Sequence, residues 1–145
     1  MRLVDKDLQQ GISGLPLPVP DSTTEYFWKE LQEERLVVQS CSSCTDLYHP
    51  PRVMCEKCGG ASFQWVPMSG TGTVFSYVVT HQPVHPALDG KTPFATVNIQ
   101  LDEGPHIISN LVDVDVQDIH IGLPVTVVFK HVSSEITLPL FRTIN

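Results

Sequence analysis

Basic residues are scarce in this chain. Nine Lys and Arg side chains stand against sixteen Asp and Glu, and the formal net charge is −7. Proteins that hold nucleic acid by its phosphates use clustered Lys and Arg, so this balance weighs against nucleic acid as the main partner. Long apolar runs are also missing, because no segment approaches the ~20 residues of a membrane-spanning helix. We therefore expect no membrane span and no dominant nucleic-acid partner.

An export signal is absent as well. The chain begins MRLVDKDLQQ, which is polar and lacks the apolar core that directs secretion. The cytoplasm keeps thiols reduced, so we expect a cytoplasmic protein whose cysteines do not form disulfides. With 145 residues, of which 41% are hydrophobic, the chain can form one ordinary domain or a small module attached to a larger one.

No motif assembles the usual groups of an active site. A Gly-rich phosphate loop of the Walker or dinucleotide type is missing. His81 and His85 are four residues apart, but the prolines around them exclude the helix that would align their side chains. We expect His49 at the surface or in support of a metal ligand, and Asp113 and Asp115 as caps of a turn. The chain is therefore predicted to have no catalytic residues of its own.

What the chain does have is four cysteines in two Cys-x-x-Cys pairs. They lie in the stretch CSSCTDLYHPPRVMCEKC, and the chain has no other cysteine. Two thiolates three positions apart on a tight turn can face one ion, and a second pair completes a tetrahedron of sulfurs. Four protein sulfurs leave no open coordination position, so the role is structural. The pattern predicts a metal site with the ligands Cys41, Cys44, Cys55 and Cys58.

Other uses of these cysteines fit the pattern less well. Two disulfides would require export from the cytoplasm. A redox site of the thioredoxin kind needs a single pair in a βαβ unit. Iron suits the same four-sulfur geometry, as in a rubredoxin-type electron carrier, so it stays open beside zinc. We take zinc as the metal because it needs neither an assembly system nor a redox partner.

The residue pattern divides the chain into an arm, a helix, a ribbon around the cysteines and a β-rich C-terminal part. Prolines alternate with Leu15, Leu17 and Val19 in the arm and exclude a helix there. The arm is either a loose tail or an extended segment whose three apolar side chains lie in a groove on a partner subunit. The predicted boundaries are 1–21 for the arm, 22–35 for the helix, 36–68 for the ribbon and 69–145 for the C-terminal part.

The predicted helix carries a capping box and an aromatic cluster. Ser22 has the position of an N-cap, and Glu25 stands three residues later, where it can reach back. The run Tyr26-Phe27-Trp28 follows in the first turns. Such a cluster either packs on the protein's own core or belongs to a partner interface, where aromatic residues are enriched.

The fold class we expect is mainly β, with the N-terminal helix, a four-cysteine zinc ribbon and then a five-stranded OB-fold barrel. The ribbon has too few apolar residues to fold without metal. After a turn at SGTG, five short strands with a small helical insert between the third and fourth indicate the OB-fold, with a sandwich as the rival. On the first barrel strand, Phe75, Tyr77 and Val79 are expected to face one way and Val74, Ser76 and Val78 the other. On the second, the shared face is Ala95, Val97, Ile99 and Leu101.

These motifs together resemble the DUF35 family, in which a rubredoxin-like zinc ribbon precedes an OB-fold domain associated with acyl-CoA. The resemblance covers residues 22–143. It rests on the helix YFWKELQEERLVVQSC, the cysteine stretch with its Pro-Pro-Arg, the entry SGTGTVFSYVVTH, the segment LDEGPHIISNLVDV and the segment IGLPVTVVFKHV. One departure is Thr45, where members often have Gly after the second cysteine, and this leaves the shape of the first cysteine turn open.

The resemblance implies a noncatalytic accessory subunit. Family members dock on thiolase-like enzymes, namely thiolases, aldolases or acyltransferases, and help to form the site for the CoA part of the substrate. Because CoA carries phosphates, we looked for exposed basic residues that could meet them. Arg52 and Lys91 are the candidates for CoA contact, with Lys130 behind them. The alternative function is a single-stranded nucleic-acid-binding module, because zinc ribbons and OB-folds also serve that role.

Overall fold

Residues 14–144 are described by the computed structural model, and they form mainly antiparallel β structure with one short helix. The helix α1 spans Glu25–Gln32, and two 3-10 turns span Pro86–Leu88 and Val116–Asp118. The strands are β1 (Val37–Cys41), β2 (Leu47–Tyr48), β3 (Phe63–Pro67), β4 (Thr71–Thr80), β5 (Phe94–Leu101), β6 (His106–Val112), β7 (Pro124–His131) and β8 (Thr137–Thr143). Among these residues no helix has the length and apolar character needed to cross a bilayer.

The cysteine ribbon is a three-stranded sheet in the order β2-β1-β3. Strand β1 pairs antiparallel with both neighbours, so that Gln39 lies opposite Tyr48 on one side and Trp65 on the other. Each cysteine pair lies at the end of one of these strands or in the loop that follows. The predicted succession of strands and cysteine turns is therefore confirmed.

The C-terminal part is a closed barrel of five strands in the order β4-β5-β6-β8-β7. Strand β6 pairs parallel with β8, whereas the other neighbours are antiparallel. Closure excludes the sandwich, because a closed barrel has no free sheet edges. The β5 alternation is confirmed, since Ala95, Val97, Ile99 and Leu101 are all buried.

The alternation expected for β4 is wrong at Val74 and Phe75, whereas Tyr77 and Val79 do face away from Ser76 and Val78 as predicted. A β-bulge shifts the register between Val74 and Ser76. The extra residue moves Tyr77 opposite the buried Val97, so Tyr77 shares the phase of Val74, while Phe75 points to the outer face. A single inserted residue changes the face of every side chain after it, and a period-two pattern cannot reveal where the insertion lies.

The expected start of the helix is also wrong. The N-cap of α1 is Thr24, whose side chain makes no capping hydrogen bond. In the turn before the helix, Oδ1 of Asp21 accepts hydrogen bonds from the backbone N–H groups of Thr23 and Thr24, both at 2.9 Å. The hydrogen bonds from Thr24 hold the pKa of Asp21 below its ordinary value. Glu25 is the first residue of α1 rather than its third, so the capping box cannot form.

One apolar core joins the helix, the ribbon and the barrel. Phe27 and Leu31 from α1 and Val37 and Val38 from β1 are buried in the same cluster as barrel residues such as Phe141. Burying four large apolar side chains stabilises the junction by about 1.5–3 kcal/mol each. The aromatic helix therefore packs largely on the protein's own core, and only Tyr26 of its aromatic cluster stays exposed, with its ring 5.1 Å from that of Trp65.

The part of the arm that the structure describes is exposed. Leu17 and Val19 face solvent between Gly14 and the helix, whereas Leu15 is half-buried. Residues 1–13 of the predicted arm lie outside the described residues. That Leu15, Leu17 and Val19 lie in a groove on a partner subunit stays a prediction.

Candidate functional site

The four cysteines of the motif meet at one point. Their Sγ atoms all lie within 4.8 Å of one another. Cys41 and Cys58 are 3.5 Å apart at sulfur, and Cys44 and Cys55 are 3.7 Å apart. A zinc ion with four sulfurs at ~2.3 Å in a tetrahedron separates them by roughly 3.8 Å. The sulfur arrangement therefore fits a tetrahedral ion of that size.

The two cysteine turns have the same backbone geometry. The N–H of Thr45 donates to the carbonyl of Cys41, and the N–H of Gly59 donates to the carbonyl of Cys55, at 2.9 and 2.8 Å. Both donors have positive φ, 61° for Thr45 and 76° for Gly59. Thr45 therefore adopts the left-handed conformation that Gly favours, at a cost of about 1 kcal/mol. The departure at Thr45 does not change the shape of the first turn.

Backbone groups prepare the site for negative sulfur. Hydrogen bonds from the N–H groups of Cys44 and Ser43 lower the pKa of Cys41 to about 6, which favours the thiolate that a metal requires. Burial and the neighbouring sulfurs raise the pKa of Cys44 to about 12, and Cys41 raises the pKa of Cys58, so a cation is needed before all the sulfurs are thiolates together. Gly60 leaves room beside the sulfurs, because a Cβ there would lie 3.3 Å from the Sγ atoms of Cys41 and Cys58. The thiolates, the N–H donors and this space together form a closed four-sulfur site that supports structural metal binding.

Arg52 and Lys91 lie on separate parts of the fold and have partners close by. Arg52, in the loop after β2, lies over the ring of Tyr48 at 5.6 Å and forms an ion pair with Glu56. Lys91, between β4 and β5, donates from Nζ to the carbonyl of Ala87 at 2.6 Å. Any phosphate that binds these side chains must compete with those neighbours.

The backbone of Arg52 also belongs to an interior polar contact. Its N–H donates to Oε1 of Gln39 at 2.7 Å, and Gln39 is fully buried in the middle of the ribbon sheet. The two prolines before Arg52 and this hydrogen bond hold its position. Arg52 is thus a structural residue of the ribbon in addition to being a candidate for CoA contact.

His49 is placed deeper than the sequence predicted. Its ring lies against Phe27 of α1 at 5.0 Å between centroids, and its buried Nδ1 has no hydrogen-bond partner in the protein. Burial, helped by the charge of Arg52, lowers the pKa of His49 to about 4. The neutral ring is therefore part of the packing between the helix and the ribbon, and the predicted surface position is wrong.

Replacing His49 with Phe is expected to make the protein less sensitive to acid. The folded pKa lies below the ordinary value of about 6.5, so the unfolded chain binds more protons between pH 6.5 and 4, and folding stability falls as the pH drops through that window. Between pH 7 and pH 5 the native chain should lose about 2 kcal/mol more than His49→Phe, measured by urea unfolding with zinc present. His81→Phe, at an exposed loop position, is the control and should behave like the native chain. Equal acid sensitivity of all three proteins would contradict the assignment.

A polar cleft of about 400 Å³ separates the first cysteine turn from the turn between β5 and β6. Lys57 in this cleft pairs with Asp46 at 3.3 Å. The sequence did not indicate it, because its two walls are more than forty residues apart in the chain. Neither Arg52 nor Lys91 belongs to its lining, which is Cys44, Thr45, Asp46, Leu47, Lys57, Glu103, Gly104 and Pro105.

The other candidate polar residues have local structural roles. Nδ1 of His85 accepts a hydrogen bond from the N–H of Ala87, and Oδ1 of Asp115 accepts one from the N–H of Gln117, both at 3.1 Å. The capping role predicted for Asp115 is confirmed, whereas Asp113 takes a left-handed conformation with φ 57° before that turn.

Two models of known protein families match the ribbon and the barrel of this chain, one after the other. The family model described as "ChsH2, rubredoxin-like zinc ribbon domain" matches residues 28–64, and "ChsH2, C-terminal OB-fold domain" matches residues 65–130. A DUF35 domain-containing scaffold protein of Methanocaldococcus jannaschii is 30% identical over 125 residues, covering 84% of this chain and 87% of that protein. A probable enoyl-CoA hydratase alpha subunit of Thermomonospora curvata is 36% identical over 127 residues, which are 88% of this chain.

The relatives differ in how much of their own length matches this chain. The matched region is only 39% of the Thermomonospora subunit, so this chain spans about two fifths of that protein. A chain of the solved structure "Ltp2-ChsH2(DUF35) aldolase" superimposes with a TM-score of 0.80 at 35% identity, covering 88% of this chain and 98% of that one. Because the two family models match successive stretches of the sequence and a DUF35 scaffold protein is 30% identical over 84% of it, the chain belongs to the DUF35 family.

Proposed function

We propose that this chain is a noncatalytic accessory subunit that docks on a thiolase-like enzyme and helps to bind its acyl-CoA substrate. The observation that carries the proposal is the match over 98% of a chain from the Ltp2-ChsH2(DUF35) aldolase. The scaffold name of the Methanocaldococcus relative supports a noncatalytic role. We keep the division into arm, helix, ribbon and OB-fold domain as part of the proposal, with the ribbon at 36–68 and the OB-fold domain at 69–145 as predicted, and the helix at Glu25–Gln32.

The four cysteines are proposed to hold one structural zinc ion. Cys41, Cys44, Cys55 and Cys58 supply four thiolates in a tetrahedral arrangement, which leaves no position for a substrate or for water. Zinc would supply cohesion between the two cysteine turns and no chemistry. A rubredoxin-type iron site is the alternative, and it would give a red protein with about one iron per chain.

Docking itself can be tested by capture. The purified chain should retain a thiolase, aldolase or acyltransferase of the thiolase-like class from native lysate, identified by mass spectrometry. The enzyme identified in this way should then form a complex with the chain when both are recombinant. A captured protein of another class would count against the proposal, and so would the failure of every thiolase-like enzyme of that organism to bind.

The double variant Arg52→Ala, Lys91→Ala is expected to weaken acyl-CoA binding by the assembled complex about tenfold. Each cation can make a charge-assisted hydrogen bond to a phosphate of CoA, but each must first leave its local partner. The control is Lys29→Ala, Arg142→Ala, which removes the same two charges from exposed sites elsewhere. Calorimetry on the complex gives the affinities, and equal affinities for the two double variants would remove Arg52 and Lys91 from the CoA site.

Nucleic-acid binding, the second function considered, receives no support from the barrel. An OB-fold binds single strands with aromatic side chains in a positively charged groove. Phe75 on the outer face of the barrel is exposed, but strands β4, β5 and β6 contain no Lys or Arg. Without cations beside the aromatic rings, this sheet has little attraction for phosphates.

A further inference from the structure

The outer face of strands β4, β5 and β6 carries exposed apolar side chains. Phe75 is 53% exposed, Val78 61% and Ile108 66%. The register places them on adjoining strands, because Ile108 lies beside Asn98 and Asn98 beside Ser76, while the ring of Phe75 contacts that of His106 at 4.7 Å. We call this surface the neutral face: Phe75, Ser76, Val78, Thr96, Asn98, Gln100, His106, Ile108 and Asn110.

The neutral face carries no Asp, Glu, Lys or Arg side chain. The three strands, of ten, eight and seven residues, contain no Asp, Glu, Lys or Arg. Such residues make up 17% of the whole chain. Exposed sheet surfaces normally carry charges that keep them soluble and apart from other sheets. Depletion of charge together with exposed aromatic and aliphatic side chains is the composition of the centre of a protein–protein interface.

Some of the polar side chains of the neutral face already have hydrogen-bond partners within the chain. Nδ1 of His106 contacts Oδ1 of Asn98 at 2.9 Å, and Nδ2 of Asn110 donates to the carbonyl of Ala95 at 2.9 Å. A polar group that keeps its hydrogen bonds costs little to bury. A partner that covered this face would therefore bury apolar surface while Asn98, His106 and Asn110 kept these hydrogen bonds.

The area of the neutral face indicates the size of its partner. Three strands about 4.8 Å apart and about seven residues long cover roughly 300 Å². Two copies of the chain that met only through this face would bury roughly 600 Å² in total, which is the range of crystal contacts rather than of stable dimers. A larger partner can extend beyond the sheet to the loop after β4, where Val84 is also exposed. The geometry thus favours a larger, different subunit over a second copy.

We infer that the neutral face is the surface through which this chain docks on its thiolase-like subunit, against an uncharged, apolar patch of that enzyme. The inference rests on the proposed function, because it takes the class of partner from there. It adds the location of the contact, with Phe75 and Val78 on β4 and Ile108 on β6 flanking the uncharged polar side chains of the central strand β5.

The test uses two isoleucines of nearly equal exposure. Ile108→Glu places a charge in the neutral face, and Ile121→Glu places the same charge at a position that is 69% exposed and lies outside that face. The binding partner is the recombinant thiolase-like enzyme identified by capture. Ile108→Glu should weaken the complex at least tenfold, about the effect of a charge in an interface centre, while Ile121→Glu should bind like the native chain.

Each other result has a definite meaning. If the native chain binds the enzyme but the two glutamate variants bind equally well, the docking face is wrong and the proposed function stands. If the native chain binds no thiolase-like enzyme, the proposed function fails and the inference fails with it. If Ile108→Glu turns a dimer of the isolated chain into a monomer in light scattering and leaves enzyme binding unchanged, the neutral face is a contact between copies. Should Ile108→Glu fail to fold, Ile108→Asn, which matches its polar neighbours, decides between the same outcomes.

Discussion

Removal of the metal from the purified chain will unfold the two cysteine turns and leave the barrel folded. We expect about one zinc per chain by elemental analysis. A structural zinc site contributes on the order of 10–16 kcal/mol of binding free energy, and the turns between β1 and β3 have little apolar burial to replace it. Hydrogen exchange of the amides of Thr45, Cys55 and Gly59, which are bonded within the turns, should accelerate by several orders of magnitude.

The barrel is expected to survive because its core does not depend on the sulfurs. Val37 and Val38 anchor β1 in the core shared with α1 and the barrel, whereas Cys41, Tyr48 and Cys55 form a separate small cluster. Cys41→Ser should reproduce the effect of a chelator, and Ser42→Ala, next to it but exposed, is the control. Protection of the turn amides that persists without metal would show that the sulfurs are not a folding site. Global unfolding of the barrel would show that the shared core is insufficient.

Gly72→Ala is expected to destabilise the barrel by about 2–3 kcal/mol, because Gly72 lies where three strands meet. It pairs with Leu101 on β5 and Val125 on β7. A Cβ at Gly72 would lie 2.4 Å from the backbone oxygen of Gln100 and 3.0 Å from Cα of Leu101. Backbone atoms in a closed barrel cannot move aside cheaply, so the strands must separate locally. The shift in urea midpoint of the zinc-loaded protein measures the effect.

The control for Gly72 is its neighbour on the same strand. Thr73→Ala changes a half-buried side chain without adding an atom near the backbone, and it should cost less than about 1 kcal/mol. If Gly72→Ala lowers the free energy of unfolding no more than Thr73→Ala does, the strands at this position have more room than the structure indicates. The same comparison explains the glycine spacing of the SGTG entry, since Gly70 supplies a positive φ of 82° and Gly72 a close strand contact.

The metal ligands and the barrel strands could be predicted because their signals are local. The spacing of Cys41 and Cys44 by itself brings two sulfurs to one side of a turn, and the second pair repeats the signal. Apolar residues alternate with polar ones along β5, and this pattern predicts that Ala95, Val97, Ile99 and Leu101 form the buried face without reference to any other strand. The family could also be recognised from the sequence, because these local motifs follow one another in a fixed order across the two matched stretches, residues 28–64 and 65–130.

Other features could not be predicted because they depend on contacts between distant segments. The bulge at Phe75 is visible only against β5, and the burial of His49 only against Phe27. The start of α1 depends on whether the turn at residues 21–24 continues as helix, and Asp21 and Ser22 both have side-chain oxygens that can bond its N–H groups. In each case the competing placements have similar local energies, and long-range packing selects one of them.

The sequence by itself determined that the four cysteines meet at one point, the order of the two β units and the family to which the chain belongs. The tertiary structure alone decided that ribbon and barrel share one core, that Gly72 must lack a side chain, and that an uncharged face forms across β4, β5 and β6. The physical reason is that sulfur spacing and strand periodicity act over a few residues, whereas a core, a close contact or a surface patch exists only after strands far apart in the chain have paired.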